Sequence, residues 1–407
     1  MYNNINRFIK VFPWYSGLTA DLLFYIAIDT LFLTTVKNFS AAQIVSLASF
    51  AQFACIALQF PVLFIIKRIG NTASARVGAI CMLISAIIIT VGNNYYIVLL
   101  GRLFHDVSVI FKTASVVALE NNLDLIEKRE DFVCLRASAN TVYAVLTMLI
   151  SFVASYMFNL NHYLPMIGCI ITCTIGVILS FFMKDCSKYD KITYKKENKK
   201  KVKIHYSKFI IMAIVVYSLF YPIVNNGQTD GKLFIQQQIL LDFNLNNTAL
   251  IIGAIVCVSR IIRVISNIFF AKLYYKYRSK LGVVLPAMLS LSIALMLFGS
   301  LIPQVITKII VMGIGYTIIL FARDPFKLYM QDVIFENTPK EQHQTLLTML
   351  EFGVKLTTAG MGLGFSAVLI SYPMSVIMAL MLAISTINIV LSIKLYKMVL
   401  EKRNSEI

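Results

Sequence analysis

The chain carries ionisable side chains inside apolar runs, and they recur at helical spacing. Asp21, Tyr25 and Asp29 come every fourth residue, which puts them on one face of a helix. Two acids on one stripe can bind a cation, carry protons or pair with bases on neighbouring helices. Arg102, His105, Asp106 and Lys112 share another run. Arg102 and Asp106 are four apart and can pair within the helix, with His105 beside them as a group suited to protonation switching. Arg260 and Arg263 lie three apart in a run that has no acid, and guanidinium forks suit carboxylate and phosphate. Asn225 and Asn226 follow Pro222 and precede Gly227, so a broken helix lined with amides is expected there. Arg323-Asp324-Pro325 and Glu351 with Lys355 complete the set. Glu351 and Lys355 stand in the favourable order for an in-helix pair. Charges near mid-bilayer cost at least ~2.5 kcal/mol each on insertion scales, so they either pair structurally or line a polar path.

The elements that must position these groups follow from composition. Of 407 residues, 58% are hydrophobic and 14% charged. A soluble globule cannot hide that much apolar surface, so lipid is the solvent. A span needs roughly 20 apolar residues. Twelve runs meet this, near 14–36, 42–66, 77–95, 97–120, 134–157, 164–183, 208–230, 247–270, 281–301, 306–335, 345–370 and 373–396. The tenth is longer than a span needs and can tilt or project. The expected fold class is an all-α integral membrane protein with two six-helix bundles, 1–183 and 208–407, joined by a basic linker, 184–207. No cleavable signal is visible before the first run. Of the seven cysteines, nearly all fall in spans, and Cys169 and Cys173 are read as small packing residues rather than a metal site.

The net charge of +17 is unevenly placed. Lys184 to Lys208 holds ten lysines against three acids. With a cytoplasmic N-terminus, 27 of the 37 Lys and Arg fall on the cytoplasmic side, three (Lys37, Lys232, Lys308) outside and seven within spans. That bias places both termini and the linker in the cytoplasm. The linker lysines suit anionic headgroups, and no aromatic-and-basic pattern accompanies them, so nucleic acid is not an expected partner. The halves also echo each other. Phe111-Lys112 followed by Glu120-Asn121 is matched by Phe326-Lys327 followed by Glu336-Asn337, at offsets of 215 and then 216 residues. A repeat whose halves both enter from the cytoplasm is parallel, about an axis along the membrane normal.

On this layout the chain resembles the major facilitator superfamily over its whole length. The family's loop after span two reads Gly-x-x-x-Asp-Arg-x-Gly-Arg. Here Leu63, Lys67, Arg68, Gly70 and Asn71 occupy those places, so only Arg68 and Gly70 match. The missing acid leaves the family's charge relay without its anchor. Arg102 matches an Arg typical of span four, whereas 134–157 lacks the Gly-Pro pattern of drug/proton antiporters. The resemblance implies alternating access, with Arg68 and Gly70 assigned to conformation; Asp324 and Lys355 are expected to be structural through charge pairing.

The function expected is secondary transport of a small polar solute, anionic or zwitterionic because seven Lys and Arg lie within spans. Arg102, Tyr25, Asn225, Asn226, Arg260 and Arg263 are the expected substrate contacts, with Arg102 facing the other two arginines across a cavity. Asp21, Asp29, His105, Asp106 and Glu351 are the expected proton-coupling groups. The expected partners are a small-molecule substrate, protons and the lipid bilayer. The chain is expected to be a monomer in the plasma membrane, without cofactor, metal or enzymatic activity. No Gly-x-x-x-x-Gly-Lys-Ser/Thr motif supports an ATP-driven pump. A proton-driven drug or metabolite exporter, a lipid-headgroup flippase and a non-transporting membrane sensor remain open alternatives.

Overall fold

A computed structural model describes residues 2–187, 208–338 and 343–406, without the side chains of 133, 137, 267–279, 343–345, 348 and 402–406. The linker expected at 184–207 thus lies outside the described residues from 188 onward. In lipid, backbone groups must be satisfied internally, which leaves helices as the economical solution for long apolar runs. The helices are α1 (Tyr2–Leu18), α2 (Tyr25–Leu31), α3 (Ala41–Ile69), α4 (Asn71–Val91), α5 (Tyr95–Asp124), α6 (Asp131–Leu160), α7 (Leu164–Ser180), α8 (Lys208–Leu240), α9 (Leu245–Gly299), α10 (Val305–Asn337), α11 (His343–Val368) and α12 (Met374–Glu406). A short π-helix, Phe32–Val36, follows α2. Among the described residues, eight helical stretches are long and apolar enough to cross a membrane, which makes this a multi-pass membrane protein. The α5 helix is not one of the eight: it carries Arg102, His105, Asp106 and Lys112, too many charges for an apolar span.

The chain divides into two compact units. The first comprises Met1–Phe39 with Phe50–Glu197, and the second Ser40–Ser49 with Asn198–Ile407. In the first, α4 packs on α5 and α7, and α1 on α6. In the second, α8 packs against α9, α10, α11 and α12, and α9 lies along α10. Although α9 is helical over Leu245–Gly299, it folds back on itself. Ile255 lies against Gly313 of α10, and Met296 lies against Gly315. Those two contacts sit on one turn of α10, so the run reverses between them. A Cβ at Gly315 would meet the Ser292 carbonyl at 2.7 Å, so this crossing requires glycine.

Two local expectations are corrected. Run one is not a continuous helix: α1 ends at Leu18 and α2 begins at Tyr25, which puts Asp21 in the break rather than on a stripe with Tyr25 and Asp29. The break persists because its freed backbone groups find partners. The Lys112 ammonium of α5 donates to the Ser16 carbonyl at 2.5 Å. The Asp21 carboxylate accepts from the Leu22 amide at 2.8 Å. The backbone amide and hydroxyl of Thr19 both donate to the Tyr15 carbonyl. Run seven is the reverse case. The α8 helix continues through Pro222 and Gly227 to Leu240, and no break occurs there. It is packed by neighbours on most sides, and that burial outweighs the one hydrogen bond that Pro222 removes. Pro325 likewise lies inside α10 and does not end it.

Candidate functional site

In the first unit the site is built where α5 meets the break in run one. His105 is buried, and each ring nitrogen faces a carboxylate: Nε2 lies 2.9 Å from Asp21 Oδ1, and Nδ1 lies 3.0 Å from Asp106 Oδ1. Two such contacts need two protons between three groups. Either the imidazole is doubly protonated, or it is neutral and one carboxyl carries a proton. Asp106 thus turns to His105, and the in-helix pair expected between Arg102 and Asp106 is not made. Among the described residues no carboxylate lies within ion-pair distance of Arg102. Its guanidinium is half-buried, within the electrostatic reach of Asp106, Tyr25, Asp21 and Asp29. Tyr25 is buried and meets Phe32 edge-on at 6.4 Å. The Asp29 carboxylate accepts from the Thr30 amide at 2.6 Å. Lys112 and His105 stand two turns apart on α5 and hold opposite sides of the same break.

The loop after run two has its own geometry. Gly70 links α3 to α4 at φ 87°, a left-handed value that a side chain would strain. The Arg68 guanidinium lies over the Phe64 ring at 4.8 Å. Asn71, where the family pattern has Arg, donates its side-chain amide to Asp185 at 2.9 Å. Asn121 donates to the same carboxylate oxygen at 2.8 Å, and the Ser187 amide donates to the other at 2.9 Å. Asp185 is buried and lies five residues past the end of α7, so an acid distant in sequence gathers these donors. Nothing in the spacing of Asn71, Asn121 and Asp185 announced this.

In the second unit Arg263 grips Asp324 through both arms, Nε to Oδ2 at 2.7 Å and Nη2 to Oδ1 at 3.0 Å. Arg263 is therefore a paired residue whose fork is already filled. Glu351 pairs with Lys327 of α10 at 2.6 Å and not with Lys355 on its own helix. Arg260 makes no ion pair among the described residues, and its buried Nε has no acceptor. Asn225 and Asn226 are half-buried on α8, and the Asn226 amide nitrogen also lacks an acceptor. Three groups outside the expected set join the site. Arg323 donates to the Gln228 side-chain oxygen at 3.3 Å, and the Tyr221 hydroxyl donates to the Arg323 carbonyl at 2.6 Å. Arg323 was visible in sequence beside Asp324, but which of the two neighbours would be paired was not. The matched positions of the two halves make different bonds. Lys112 caps a carbonyl whereas its counterpart Lys327 meets a carboxylate, and Asn121 binds Asp185 whereas Asn337 binds the Val333 carbonyl.

Compared by sequence, the chain matches no family model and no curated protein. Compared by structure, it is similar to several solved transporters. A point mutant of the nucleoside transporter NupG superposes with TM-score 0.75 at 10% identity, covering 96% of this chain and 99% of that one. A bacterial homologue of the iron transporter ferroportin in an inward-facing state gives TM-score 0.71 at 10% identity, covering 97% and 99%. A D-xylose-proton symporter gives TM-score 0.69 at 13% identity, covering 97% of each chain. At such identities the likeness speaks for the fold, and over nearly its whole length this chain has the fold of these solved transporters.

Proposed function

We propose that the protein is a secondary transporter that moves a small polar solute, anionic or zwitterionic, by alternating access, with protons as the coupling ion. In this reading twelve spans form two six-helix bundles, both termini and the 184–207 segment face the cytoplasm, and the protein works as a monomer in the plasma membrane. The observation that carries the reading is His105 held between Asp21 and Asp106. Losing one proton from this trio leaves one contact without its hydrogen. Asp106 is adjacent to His105 in sequence, whereas Asp21 comes from another helical run, so the contact to Asp21 is the one whose loss can let run one move against α5. Protonation then biases one arrangement of the break over another, which is what coupling requires. Arg102, which makes no ion pair among the described residues, supplies a positive charge beside the trio for the solute. Asp29, within reach of Tyr25 and Arg102, tunes that charge.

The test begins with purified protein screened by thermal shift against metabolites. Solutes that stabilise it are then supplied to proteoliposomes under a pH gradient. Solute-dependent proton flux is expected. Asp21→Asn and His105→Gln are expected to keep solute exchange and to lose accumulation driven by the gradient. If both variants accumulate solute like the native protein, the trio is structural. Absence of any solute-dependent flux would favour the sensor reading.

A further inference from the structure

Charge in the second unit does not balance near the junction of α8, α9 and α10. Arg260, Arg263 and Arg323 are close enough for the first two to act electrostatically on the third. One carboxylate, Asp324, is at hand, and Arg263 occupies both its oxygens. Glu351 is taken by Lys327, and Asp230 makes no ion pair among the described residues. Two guanidiniums, Arg260 and Arg323, are left without a counter-charge. The hydrogen-bond inventory points the same way. The Arg260 Nε, the Gln228 Nε2 and the Asn226 Nδ2 are all buried donors that lack an acceptor. Gln228 already uses its oxygen on Arg323, which leaves its NH₂ beside that guanidinium. A buried donor without an acceptor is expensive, and the Arg260 and Gln228 donors beside two cations that make no ion pair among the described residues call for one acceptor-rich, negatively charged group.

We infer that Arg260 and Arg323, with the Gln228 amide between α8 and α10, bind a doubly charged oxyanion head, a phosphoryl group or a dicarboxylate, as the anionic end of the solute. The inference rests on the transport reading only for the word solute; the binding site stands by itself. Two guanidiniums match two negative charges, and their planar forks suit oxygen pairs. A singly charged head would leave one arginine desolvated and unpaired, so the site discriminates by charge number. Arg263 and Asp324 serve as the fixed wall of the site rather than as ligands.

The probes are two pairs of simple anions, sulfate against methanesulfonate and succinate against butyrate, titrated onto the full chain in nanodiscs at constant ionic strength. Native protein is expected to bind the dianion of each pair at least about tenfold more tightly. Arg260→Gln and Arg323→Gln are each expected to weaken the dianion by about 10- to 100-fold and bring it to the level of the monoanion. Arg68→Gln, in the first unit at the end of α3, is expected to bind both like the native protein. If a glutamine variant does not fold, the lysine variant of the same position replaces it, which keeps the charge and loses the fork. Equal binding of dianion and monoanion by native protein overturns the inference, as does a dianion preference that survives both substitutions. Dianion binding that fits the scheme but drives no flux in liposomes overturns transport and leaves the site. Flux of a solute indifferent to both substitutions overturns the site and leaves transport.

Discussion

His105 and Arg263 show what a buried charge does when its partners are known. His105 is flanked on both ring nitrogens, so replacing it removes two contacts and strands two carboxylates. Arg263 has a single partner held in a fork. Both members of that pair keep about a quarter of their side-chain surface exposed, 26% and 25%. The cost of breaking it should fall between the ~1 kcal/mol of an exposed pair and the ~3–5 kcal/mol of a buried one. Arg263→Gln is therefore expected to lower the melting temperature by several degrees and to reduce yield, whereas Arg260→Gln, which breaks no pair, leaves both near native. Thermal unfolding of the two variants in one detergent checks this, and equal loss would mean that Arg260 has a structural partner too. The sequence showed that these arginines lie in an acid-free run. It could not show that Asp324 from another helix would choose Arg263, because that choice depends on rotation of α10 against α9.

At the scale of elements, legibility depended on whether a signal was local. Hydropathy located the long helices, because lipid leaves an apolar run of that length little else to do. Breaks were misplaced for the same reason that propensity is a weak guide. Pro222 and Gly227 are strong local breakers, yet α8 continues, because helices around it bury the segment. Run one has no proline between Leu18 and Tyr25, yet it opens there, because Lys112, almost a hundred residues away, stabilises the open end. The Asp185 cluster is a second long-range device. Its carboxylate joins the starts of α4 and the linker to the end of α5 through three donors. Asp185→Ala removes those bonds and leaves two amide side chains unsatisfied, which should cost roughly 2–4 kcal/mol. Faster cleavage by protease near residue 187, with α8 to α12 unaffected, is the expected readout. Unchanged cleavage would show that the apolar packing of α7 holds this end without Asp185.

For the molecule as a whole, the proposed orientation in the membrane rests on the Lys and Arg asymmetry. Lys195→Cys in a cysteine-free background should resist a membrane-impermeant thiol reagent in sealed cells and react after permeabilisation. Ready labelling in sealed cells would invert the topology. The similarity in fold to transporters at 10–13% identity shows why residue roles had to be argued from this chain's own contacts. Arg68 and Gly70 keep the family pattern, but the partner of the neighbouring Asn71 is an acid from a different part of the chain.

The open segment in run one also bears on how the protein is made. A nascent chain enters the bilayer in order, and its first run has to partition before later ones exist. Between Leu18 and Tyr25 that run offers the translocon an acid and unwound backbone, while the partners of both, His105 and Lys112, have yet to be synthesised. The first run should therefore be a poor anchor by itself and settle only when α5 arrives. A glycosylation reporter fused after residue 94 should give mixed orientations, one fused after residue 124 a single orientation, and Asp21→Leu should make the shorter fusion uniform. A uniform result from the unaltered shorter fusion would show that run one enters the membrane without help, and that α5 shapes it only afterwards.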